Sequence, residues 1–294
     1  MKRYAYYPGC SLETMASEYD LSFRNLCARL GIELEEPSRW ICCGVGLLGN
    51  LSPLLGLAVP LKNLALARQL GLPALVVPCS ACYSQFKRAQ YELKHDPKLR
   101  ADLEDIVEAP LQETLQVLHP LEILTQELEN PALRAKRENN LDHLRVACYY
   151  GCLLTRPPKV VNFDICEYPE TMDRLLHRVG ITTVEWSHKT FCCGAFYAMV
   201  DSGRVLELTR EILEGARSAG ANAFAVACPL CQLNLDARQP EVNQRYATDY
   251  NLPVFYFTQL MGYALGVPAE GLGLWRHVVD PQPLLGLRPE VRAA

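Results

Sequence analysis

A cysteine pattern that occurs twice constrains this chain more than any other feature. Its first copy consists of Cys10, Cys42-Cys43 and Cys79-Ser80-Ala81-Cys82, and its second copy of Cys152, Cys192-Cys193 and Cys228-Pro229-Leu230-Cys231. Matching cysteines are 142, 150, 150, 149 and 149 residues apart, and a near-constant offset over five positions indicates a duplicated domain. Ten of the thirteen cysteines belong to this pattern, so the duplicated function is sulfur ligation or sulfur chemistry.

The length and composition suit two folded domains. A chain of 294 residues has room for two domains of ordinary size, each with its own core. We predict a first domain at residues 1–140, which includes a helical connector, and a second at 141–294, which ends in a surface tail at 271–294. Hydrophobic residues make up 49% and charged residues 21%, as in soluble globular proteins. The net charge of -4 gives no indication of a nucleic-acid surface.

The cysteine content favours a reducing compartment. An odd number of cysteines with two adjacent pairs suits a secreted disulfide framework poorly, and Met1-Lys2-Arg3 is not followed by the apolar stretch of a signal peptide. The longest apolar stretch, residues 45–61, is interrupted by polar residues and prolines and is too short to cross a bilayer. We therefore expect a cytoplasmic protein with metal-bound thiolates and no membrane span of its own, which could reach the inner face of the membrane through partners.

Strand and helix signals alternate in both halves. Residues 74–77 and 223–227 are short apolar runs, typical of buried parallel strands, and each leads directly into a Cys-x-x-Cys motif. We predict an α/β fold of two pseudo-symmetric repeats, each a small, mainly parallel sheet with flanking helices and with cysteine-bearing loops at strand ends. A leucine at every third position from 115 to 124 favours helical segments over residues 95–140, and the charge run at 134–138 is predicted to be a solvated helix face.

Five cysteines per copy limit the chemistry. A Cys-x-x-Cys motif at a strand-to-helix junction fits zinc, a redox disulfide or an iron–sulfur cluster, because the helix N-terminus favours anionic sulfur. A structural zinc takes four ligands, and a thioredoxin-like motif leaves three cysteines of each copy unexplained. An ordinary cubane cluster also uses four thiolates, so a fifth in an adjacent pair favours a larger or more open cluster. Iron–sulfur is the favoured interpretation, and zinc in the first half is the main alternative.

The residues around the cysteines carry a resemblance to a known family. They include Tyr6-Tyr7-Pro8-Gly9-Cys10-Ser11, Cys42-Cys43-Gly44, Pro78-Cys79-Ser80-Ala81-Cys82-Tyr83, Cys192-Cys193-Gly194 and Cys228-Pro229-Leu230-Cys231-Gln232-Leu233-Asn234. These stretches resemble the CCG cysteine-rich domain, and their duplication over nearly the whole chain is similar to the B subunit of heterodisulfide reductase. In that family each five-cysteine set is understood to hold a non-cubane 4Fe-4S cluster, and the disulfide substrate is cleaved between the two clusters.

The resemblance implies one ligand set for each cluster. The first set would be Cys10, Cys42, Cys43, Cys79 and Cys82, and the second would be Cys152, Cys192, Cys193, Cys228 and Cys231. Two departures concern the substrate: Leu153 stands where many relatives have a histidine, and the segment after Cys42-Cys43-Gly44 is unusually apolar. Both count against the coenzyme M–coenzyme B disulfide as the substrate and leave a related disulfide or a persulfide open.

The chain has no obvious electron-transfer motif of its own beyond the two cysteine sets. It lacks the cysteine run of ferredoxins. The resemblance implies that electrons come from two partners in the same complex, one ferredoxin-like and the other flavin-bearing. Our leading hypothesis is therefore the catalytic subunit of a heterodisulfide-reductase-like complex, an oxidoreductase acting on sulfur groups that is active only with its partners. The alternatives are an electron-transfer subunit of a membrane-docked, quinone-linked oxidoreductase and a zinc-stabilised scaffold.

Two further features need an interpretation. His188 and Lys189 stand just before Cys192, where they could donate a proton or a charge-assisted hydrogen bond to a substrate or cluster sulfide, so we predict catalytic roles for both; a surface turn is the alternative. The stretch at 44–49 spells the dinucleotide fingerprint G-x-G-x-x-G. It follows no clear strand and has no acidic residue downstream to bind a ribose, so we reject it as a nucleotide site.

Five side chains near the motifs complete the predictions. Cys27 lies on an apolar helical face and is predicted to be core packing. Cys148 and Cys166 have no counterpart in the other copy and are predicted to be structural, with Cys148 the closer of the two to a cluster. Tyr7 and Tyr150 precede the first cysteine of each set, where a hydrogen bond to sulfur is possible.

Overall fold

Two four-stranded parallel sheets organise the chain. The computed structural model describes residues 2–111, 115–128 and 137–287. The first sheet contains β1 (Lys2–Tyr6), β2 (Ile32–Glu35), β3 (Ala74–Val76) and β4 (Gln116–Leu118), and the second contains β5 (Arg145–Tyr149), β6 (Thr182–Thr183), β7 (Ala223–Val226) and β8 (Val254–Tyr256). Their orders, β2-β1-β3-β4 and β6-β5-β7-β8, are the same in both halves, and every pairing is parallel. The predicted fold of two pseudo-symmetric α/β repeats is confirmed.

Helices follow the strands in both halves. The helices of the first half are α1 (Gly9–Glu13), α2 (Ser17–Leu30), α3 (Leu48–Leu51), α4 (Pro53–Arg68), α5 (Ser80–His95), α6 (Pro97–Val107) and α7 (Pro120–Leu128). Those of the second half are α8 (Pro158–Val161), α9 (Thr171–Arg178), α10 (Ser202–Ser218), α11 (Pro229–Ala237), α12 (Gln239–Tyr246) and α13 (Phe257–Ala264). Among the described residues, no helix is long and apolar enough to cross a membrane.

The central strands deliver the Cys-x-x-Cys motifs. Every residue of β3 and β7 is buried, as expected for strands that helices cover on both faces. Helix α5 begins one residue after Cys79, and α11 begins one residue after Cys228 with a proline at its first position. Because the carboxyl ends of parallel strands lie at one edge of a sheet, the loops after β1, β2 and β3 reach the same edge, as do those after β5, β6 and β7.

The connector is partly as predicted, because α6 (Pro97–Val107) and α7 (Pro120–Leu128) are helical. Residues 95–140 were expected to be helical, but Gln116–Leu118 forms β4, which pairs with β3 and completes the first sheet. A strand of three residues is too short to reveal a period of two, and the leucine spacing continues across it into α7. The charge run at 134–138 lies partly outside the described residues, which leaves its prediction open.

The two halves pack against each other through α2 and α13. Ser22 and Thr258 share a buried hydrogen bond of 2.7 Å between their hydroxyl oxygens. The rings of Tyr19 and Tyr256 stack with centroids 4.3 Å apart. Arg276 Nε donates to Glu18 Oε2 at 3.1 Å, and Glu18 is buried. The repeats therefore share one continuous core, which fixes their cysteine-bearing edges relative to each other.

The segment after α13 is not a surface tail over its described part. Leu272, Leu274 and Leu285 are buried in the core, and the His277 side chain is buried beside Gln259. The prediction of a surface tail was wrong for residues 272–287, because the short helical turns there have no long apolar period that the sequence could reveal. Residues 288–294 lie outside the described residues.

Replacement of Leu272 by alanine tests the packing of this segment. Leu272 is fully buried, so Leu272→Ala should lower the free energy of unfolding by about 2–5 kcal/mol. Val278, in the same segment, is 47% exposed, and Val278→Ala should change it by less than about 0.5 kcal/mol. Chemical denaturation of both variants measures the difference; equal, small effects would mean that the segment does not belong to the core.

Candidate metal centre

The first cysteine set lies at the carboxyl edge of the first sheet. Cys10 is in α1, Cys42-Cys43 is in the loop after β2, and Cys79 and Cys82 follow β3. The Sγ atoms of Cys43 and Cys82 are 3.0 Å apart, and those of Cys10 and Cys42 are 3.6 Å apart. Cys43, Cys79 and Cys82 are buried, whereas Cys10 and Cys42 are exposed. We call the three buried cysteines the floor of the set and the two exposed cysteines its mouth.

The second set repeats this arrangement at the edge of the second sheet. Cys193, Cys228 and Cys231 are buried, Cys152 is half-buried and Cys192 is exposed. All five line a small, mostly apolar cavity, together with Ser80 and Ala81 from the first half. The backbone N–H of Gly194 donates to Cys192 Sγ at 3.4 Å. Within the described ranges, no three His, Cys, Asp or Glu side chains converge on a point that suits a single metal ion.

A tyrosine holds each Cys-Cys pair in place. The Tyr7 hydroxyl donates to the carbonyl oxygen of Ile41 at 2.8 Å, and the Tyr149 hydroxyl donates to that of Phe191 at 2.6 Å. Ile41 and Phe191 directly precede the two pairs, and both tyrosine rings are buried. Burial raises the pKa of Tyr7 and Tyr149, and the charges of four cysteines of the same set raise it further, so each ring lies amid its cysteines.

This hydrogen bonding corrects the prediction for the tyrosines. Neither the Tyr7 nor the Tyr150 hydroxyl bonds to sulfur, because Tyr7 is bound to a carbonyl and Tyr150 donates to Asp173 Oδ2 at 2.7 Å. The counterpart of Tyr7 is Tyr149. The 142-residue offset between Cys10 and Cys152 also separates Tyr7 from Tyr149, so the sequence contained the signal that would have identified it.

The two cysteine sets meet at a junction between the halves. The Ser80 hydroxyl donates to the carbonyl oxygen of Ala227 at 3.1 Å. His119 Nε2 lies 2.9 Å from the carbonyl oxygen of Pro78 and 3.3 Å from that of Ala227. Pro78 and Ala227 each precede the first cysteine of a Cys-x-x-Cys motif, so one buried imidazole bridges both motifs. Burial lowers the pKa of His119 to about 4, which keeps the ring neutral and able to donate from Nε2 at neutral pH.

Crowding of the thiols redistributes their protons. Hydrogen bonds from Cys42 and Cys82 lower the pKa of Cys43 to about 4, and a hydrogen bond from Cys152 lowers that of Cys192 to about 6. Hydrogen bonds from Cys231 and Cys79 lower the pKa of Cys228 well below its usual range. The donors keep their protons: a hydrogen bond to Cys228 raises the pKa of Cys79.

The residues present fit an iron–sulfur cluster. Each set offers only sulfur donors, which are the ligands that such clusters take. Gly151 and Gly9 have positive φ angles beside the sulfurs, and a Cβ at Gly151 would lie 2.9 Å from Cys231 Sγ. Glycine therefore keeps the backbone close to the sulfurs where any side chain would fill the space.

Comparison with known proteins identifies the family. The CCG cysteine-rich domain matches residues 4–87 and 146–236, which cover more than half of the chain and include all ten repeated cysteines. The chain belongs to the CCG cysteine-rich domain family. The predicted duplication of this domain and the predicted relationship to the B subunit of heterodisulfide reductase are confirmed.

Two curated relatives that resemble the chain over nearly its whole length have different names. The chain is 32% identical to the 8-methylmenaquinol:fumarate reductase membrane anchor subunit of Wolinella succinogenes, over 96% of this chain and 99% of the relative. It is 30% identical to the B subunit of the ferredoxin/F(420)H(2)-dependent CoB-CoM heterodisulfide reductase of Methanosarcina acetivorans, over 100% of this chain and 99% of the relative. A hypothetical protein from Helicobacter pylori has the same fold, with a TM-score of 0.78 at 14% identity over 95% of this chain. The chain spans 52% of the length of that structure.

His188 and Lys189 are directed away from the second CCG cysteine set. Lys189 is 3% exposed, and its Nζ lies 3.1 Å from Asp173 Oδ1 and 3.4 Å from the carbonyl oxygen of Pro169. The His188 ring packs against Trp186 and Phe191 in a separate depression. Neither residue is among those that line the cavity at the cysteines. Their catalytic roles stay a prediction without a supporting contact.

The three cysteines outside the CCG pattern have other surroundings. Cys27 is buried in the core, as predicted. Cys148 is buried in β5, where burial and then the charge of Asp173 raise the pKa of its thiol. Cys166 is partly exposed, and its Sγ lies 3.5 Å from Glu167 Oε1. None of the three thiols contacts the ten repeated cysteines in the described part of the chain.

A cleft of about 700 Å³ opens beside the cysteine sets. One wall comes from the first CCG loop and α5, including Gly46, Asn50 and Arg88. The other wall includes Leu153 and Phe196, which also line the cavity at the second cysteine set. The cleft therefore adjoins the cavity at that set. Leu153 was singled out from the sequence, whereas no sequence signal selects Phe196 or Arg88.

Replacement of Tyr149 by phenylalanine tests how the second CCG loop is held. Tyr149→Phe leaves the carbonyl oxygen of Phe191 without its donor, so the free energy of unfolding should fall by about 1–3 kcal/mol. Tyr197→Phe, at a phenol that is 49% exposed, should change it by less than about 0.5 kcal/mol. Denaturation curves of the two variants provide the comparison, and an unchanged Tyr149→Phe protein would contradict the role given to this hydrogen bond.

Proposed function

We propose that this chain is the iron–sulfur catalytic subunit of a heterodisulfide-reductase-like complex, which reduces or forms a disulfide or a related sulfur substrate. The observation that carries the proposal is the junction at which two five-cysteine sets meet beside an open cleft. Two adjoining sites offer one position for each sulfur of a disulfide. The relatives named as B subunits of heterodisulfide reductases support this proposal.

We assign one non-cubane 4Fe-4S cluster to each set. The ligands are Cys10, Cys42, Cys43, Cys79 and Cys82 in the first set, and Cys152, Cys192, Cys193, Cys228 and Cys231 in the second set. Such clusters supply one-electron transfer and iron that binds sulfur. The short Cys43–Cys82 contact and the adjacent Cys42 favour a shape more open than a cubane, because neighbouring residues aim two thiolates at one group.

The chain itself would orient the substrate. Leu153 and Phe196 present an apolar wall next to the second set, while Asn50, Arg88 and Glu92 give the opposite side of the cleft polar groups. This surface suits a small molecule with an apolar body and a polar end. Reduction adds two electrons and two protons to one disulfide and yields two thiols; the protons come from solvent through the exposed mouth at Cys10, Cys42 and Cys192.

The electrons for this reaction would come from partner subunits. We propose a ferredoxin-like partner and a flavin-bearing partner in the same complex, in the cytoplasm or at the inner face of the membrane. The repeat boundaries at 1–140 and 141–294 belong to the same proposal, with one cluster in each domain. Zinc in the first half is the alternative to an iron–sulfur cluster there.

A matched pair of cysteine variants tests the ligand assignment. Cys193→Ala should remove the cluster of the second half, so that the iron content falls to about half while the first cluster keeps its electron paramagnetic resonance signal. Cys166→Ala removes a thiol outside the CCG pattern and should keep the full iron content. If Cys193→Ala retains both cluster signals, the assignment of the second set is wrong.

A second candidate function is electron transfer between a quinol pool and a partner reductase at a membrane. An apolar collar consists of exposed side chains in the segments after the two Cys-Cys pairs: Leu47, Leu51, Phe196, Met199 and Val200. Met199 is 95% exposed and Val200 is 80% exposed, and Phe196 packs on Gly46 across the two CCG loops. Exposed apolar side chains grouped around a redox site suit an apolar substrate or a lipid surface. The relative named as a membrane anchor subunit of a methylmenaquinol:fumarate reductase favours this candidate.

Turnover with two substrate classes distinguishes the candidates. Protein purified without oxygen and reduced by dithionite should release thiols from small disulfides with an apolar body, in proportion to the cluster content. Iron-depleted protein is the control for reduction by dithionite alone. The absence of thiol release, together with oxidation of a soluble menaquinol analogue by the oxidised protein, would contradict the disulfide proposal and support the quinol candidate.

A further inference from the structure

Two tyrosines lie at the junction between the cysteine sets with hydroxyl groups that no atom of the described residues binds. Tyr19 is on α2 of the first half, and Tyr256 is the last residue of β8 in the second half. Both side chains are 0% exposed. Their rings stack at 4.3 Å between centroids, with 11° between the planes. Both phenol oxygens are buried without a hydrogen-bond partner in the described part of the chain.

The neighbouring buried phenols are bound. The Tyr6 hydroxyl donates to Asp20 at 2.6 Å, the Tyr7 and Tyr149 hydroxyls donate to backbone carbonyls, and the Tyr150 hydroxyl donates to a carboxylate. A buried hydroxyl without a partner destabilises a fold, and native proteins rarely keep one without a reason. Two such groups in contact with each other, one from each half, therefore point to an acceptor that the chain itself does not provide.

The acceptor lies on the side of the cysteines. Burial raises the pKa of Tyr19, and the charges of Cys228 and Cys79 raise it further. For Tyr256, burial is again the largest cause, followed by the charges of Glu18, Cys228, Tyr19 and Cys79. Tyr256 also pairs in register with Val226, two residues before Cys228. Each phenol therefore lies close enough to the first cysteine of both Cys-x-x-Cys motifs to be affected by its charge, without a direct bond to either sulfur.

We propose that Tyr19 and Tyr256 donate hydrogen bonds to the anionic sulfur held at Cys79 and Cys228, and thereby raise the reduction potentials of the two clusters. The inference rests on the proposed function, which supplies the clusters. Sulfur in a cluster accepts hydrogen bonds, and the reduced state accepts them more strongly because it carries more negative charge. Donors at this position therefore favour reduction.

The burial of the pair separates this role from proton donation to a substrate. Cys79 and Cys228 are buried, whereas the cleft opens to solvent and no cysteine of the described ranges lines it. Neither tyrosine is among the residues that line the cleft. Both phenols act on sulfur that the protein holds and do not touch the substrate. They are therefore positioning residues, which stabilise the charge of the clusters, rather than catalytic residues.

The position of Tyr256 has a counterpart in the first half. His119 follows β4 as Tyr256 ends β8, and each residue directly precedes a helix, α7 in the first half and α13 in the second. The His119 backbone N–H donates to the Glu122 carboxylate at 2.6 Å, and that of Tyr256 donates to the Gln259 side chain at 2.8 Å. His119 binds the carbonyl groups that precede both motifs, whereas Tyr256 places a phenol at the junction. The equivalent position therefore has a different role in each repeat.

Conservative variants test this inference on the loaded protein. Tyr19→Phe and Tyr256→Phe keep the stacked rings and remove only the hydroxyl groups. Each variant should shift the cluster midpoint potentials, measured by redox titration with electron paramagnetic resonance, to more negative values, and the double variant should shift them furthest. Tyr6→Phe, which removes a buried hydroxyl bound to Asp20, should leave the potentials unchanged.

The outcomes separate this inference from the proposed function. Iron-loaded variants with the same midpoint potentials as the wild-type protein would overturn the role of the phenols and leave the two-cluster proposal intact. A shift in Tyr6→Phe equal to that in Tyr19→Phe would also overturn it, because the effect would then be a general consequence of hydroxyl removal. Wild-type protein that binds no iron would overturn the proposed function first.

Discussion

The contact between the two Cys-x-x-Cys motifs is the constraint on which the site depends. It consists of short polar bonds: Ser80 to the Ala227 carbonyl, and one neutral imidazole, His119, to the carbonyls of Pro78 and Ala227. Because these groups are buried, loss of the imidazole would leave the Pro78 carbonyl oxygen without its donor in a water-poor environment. The packing of α2 on α13 keeps the two motifs in contact. The distance between the two cysteine sets therefore depends on the packing of the two repeats.

Burial divides each set into two functional parts. The cysteines that follow the central strands are enclosed by helices, which isolates their sulfur from water, whereas Cys10, Cys42 and Cys192 reach the surface. A low-dielectric floor strengthens hydrogen bonds to anionic sulfur, and an open mouth admits a substrate or an electron donor. In the proposed function, the exposed apolar side chains of the loops after the two Cys-Cys pairs would select the molecules that approach.

The parts of this protein that repeat could be predicted from its sequence. The cysteine offsets and the short buried strands indicated the α/β repeats and the cysteines gathered at the strand ends. The fourth strand of the first sheet was not predicted, because three residues are too few to show an alternation of buried and exposed side chains. The burial of the segment after α13 was not predicted, because it depends on contacts with Gln259 and α2. His119, Tyr19 and Tyr256 carry no motif, and only the packing of the two halves brings them to the junction.

The metal content of protein purified without oxygen tests the central claim most directly. Two four-iron clusters predict about eight irons and about eight acid-labile sulfides per chain, with no zinc. About four irons with one zinc would restrict the redox chemistry to one half and contradict the paired-site account. Zinc without iron would contradict the assignment of an oxidoreductase altogether.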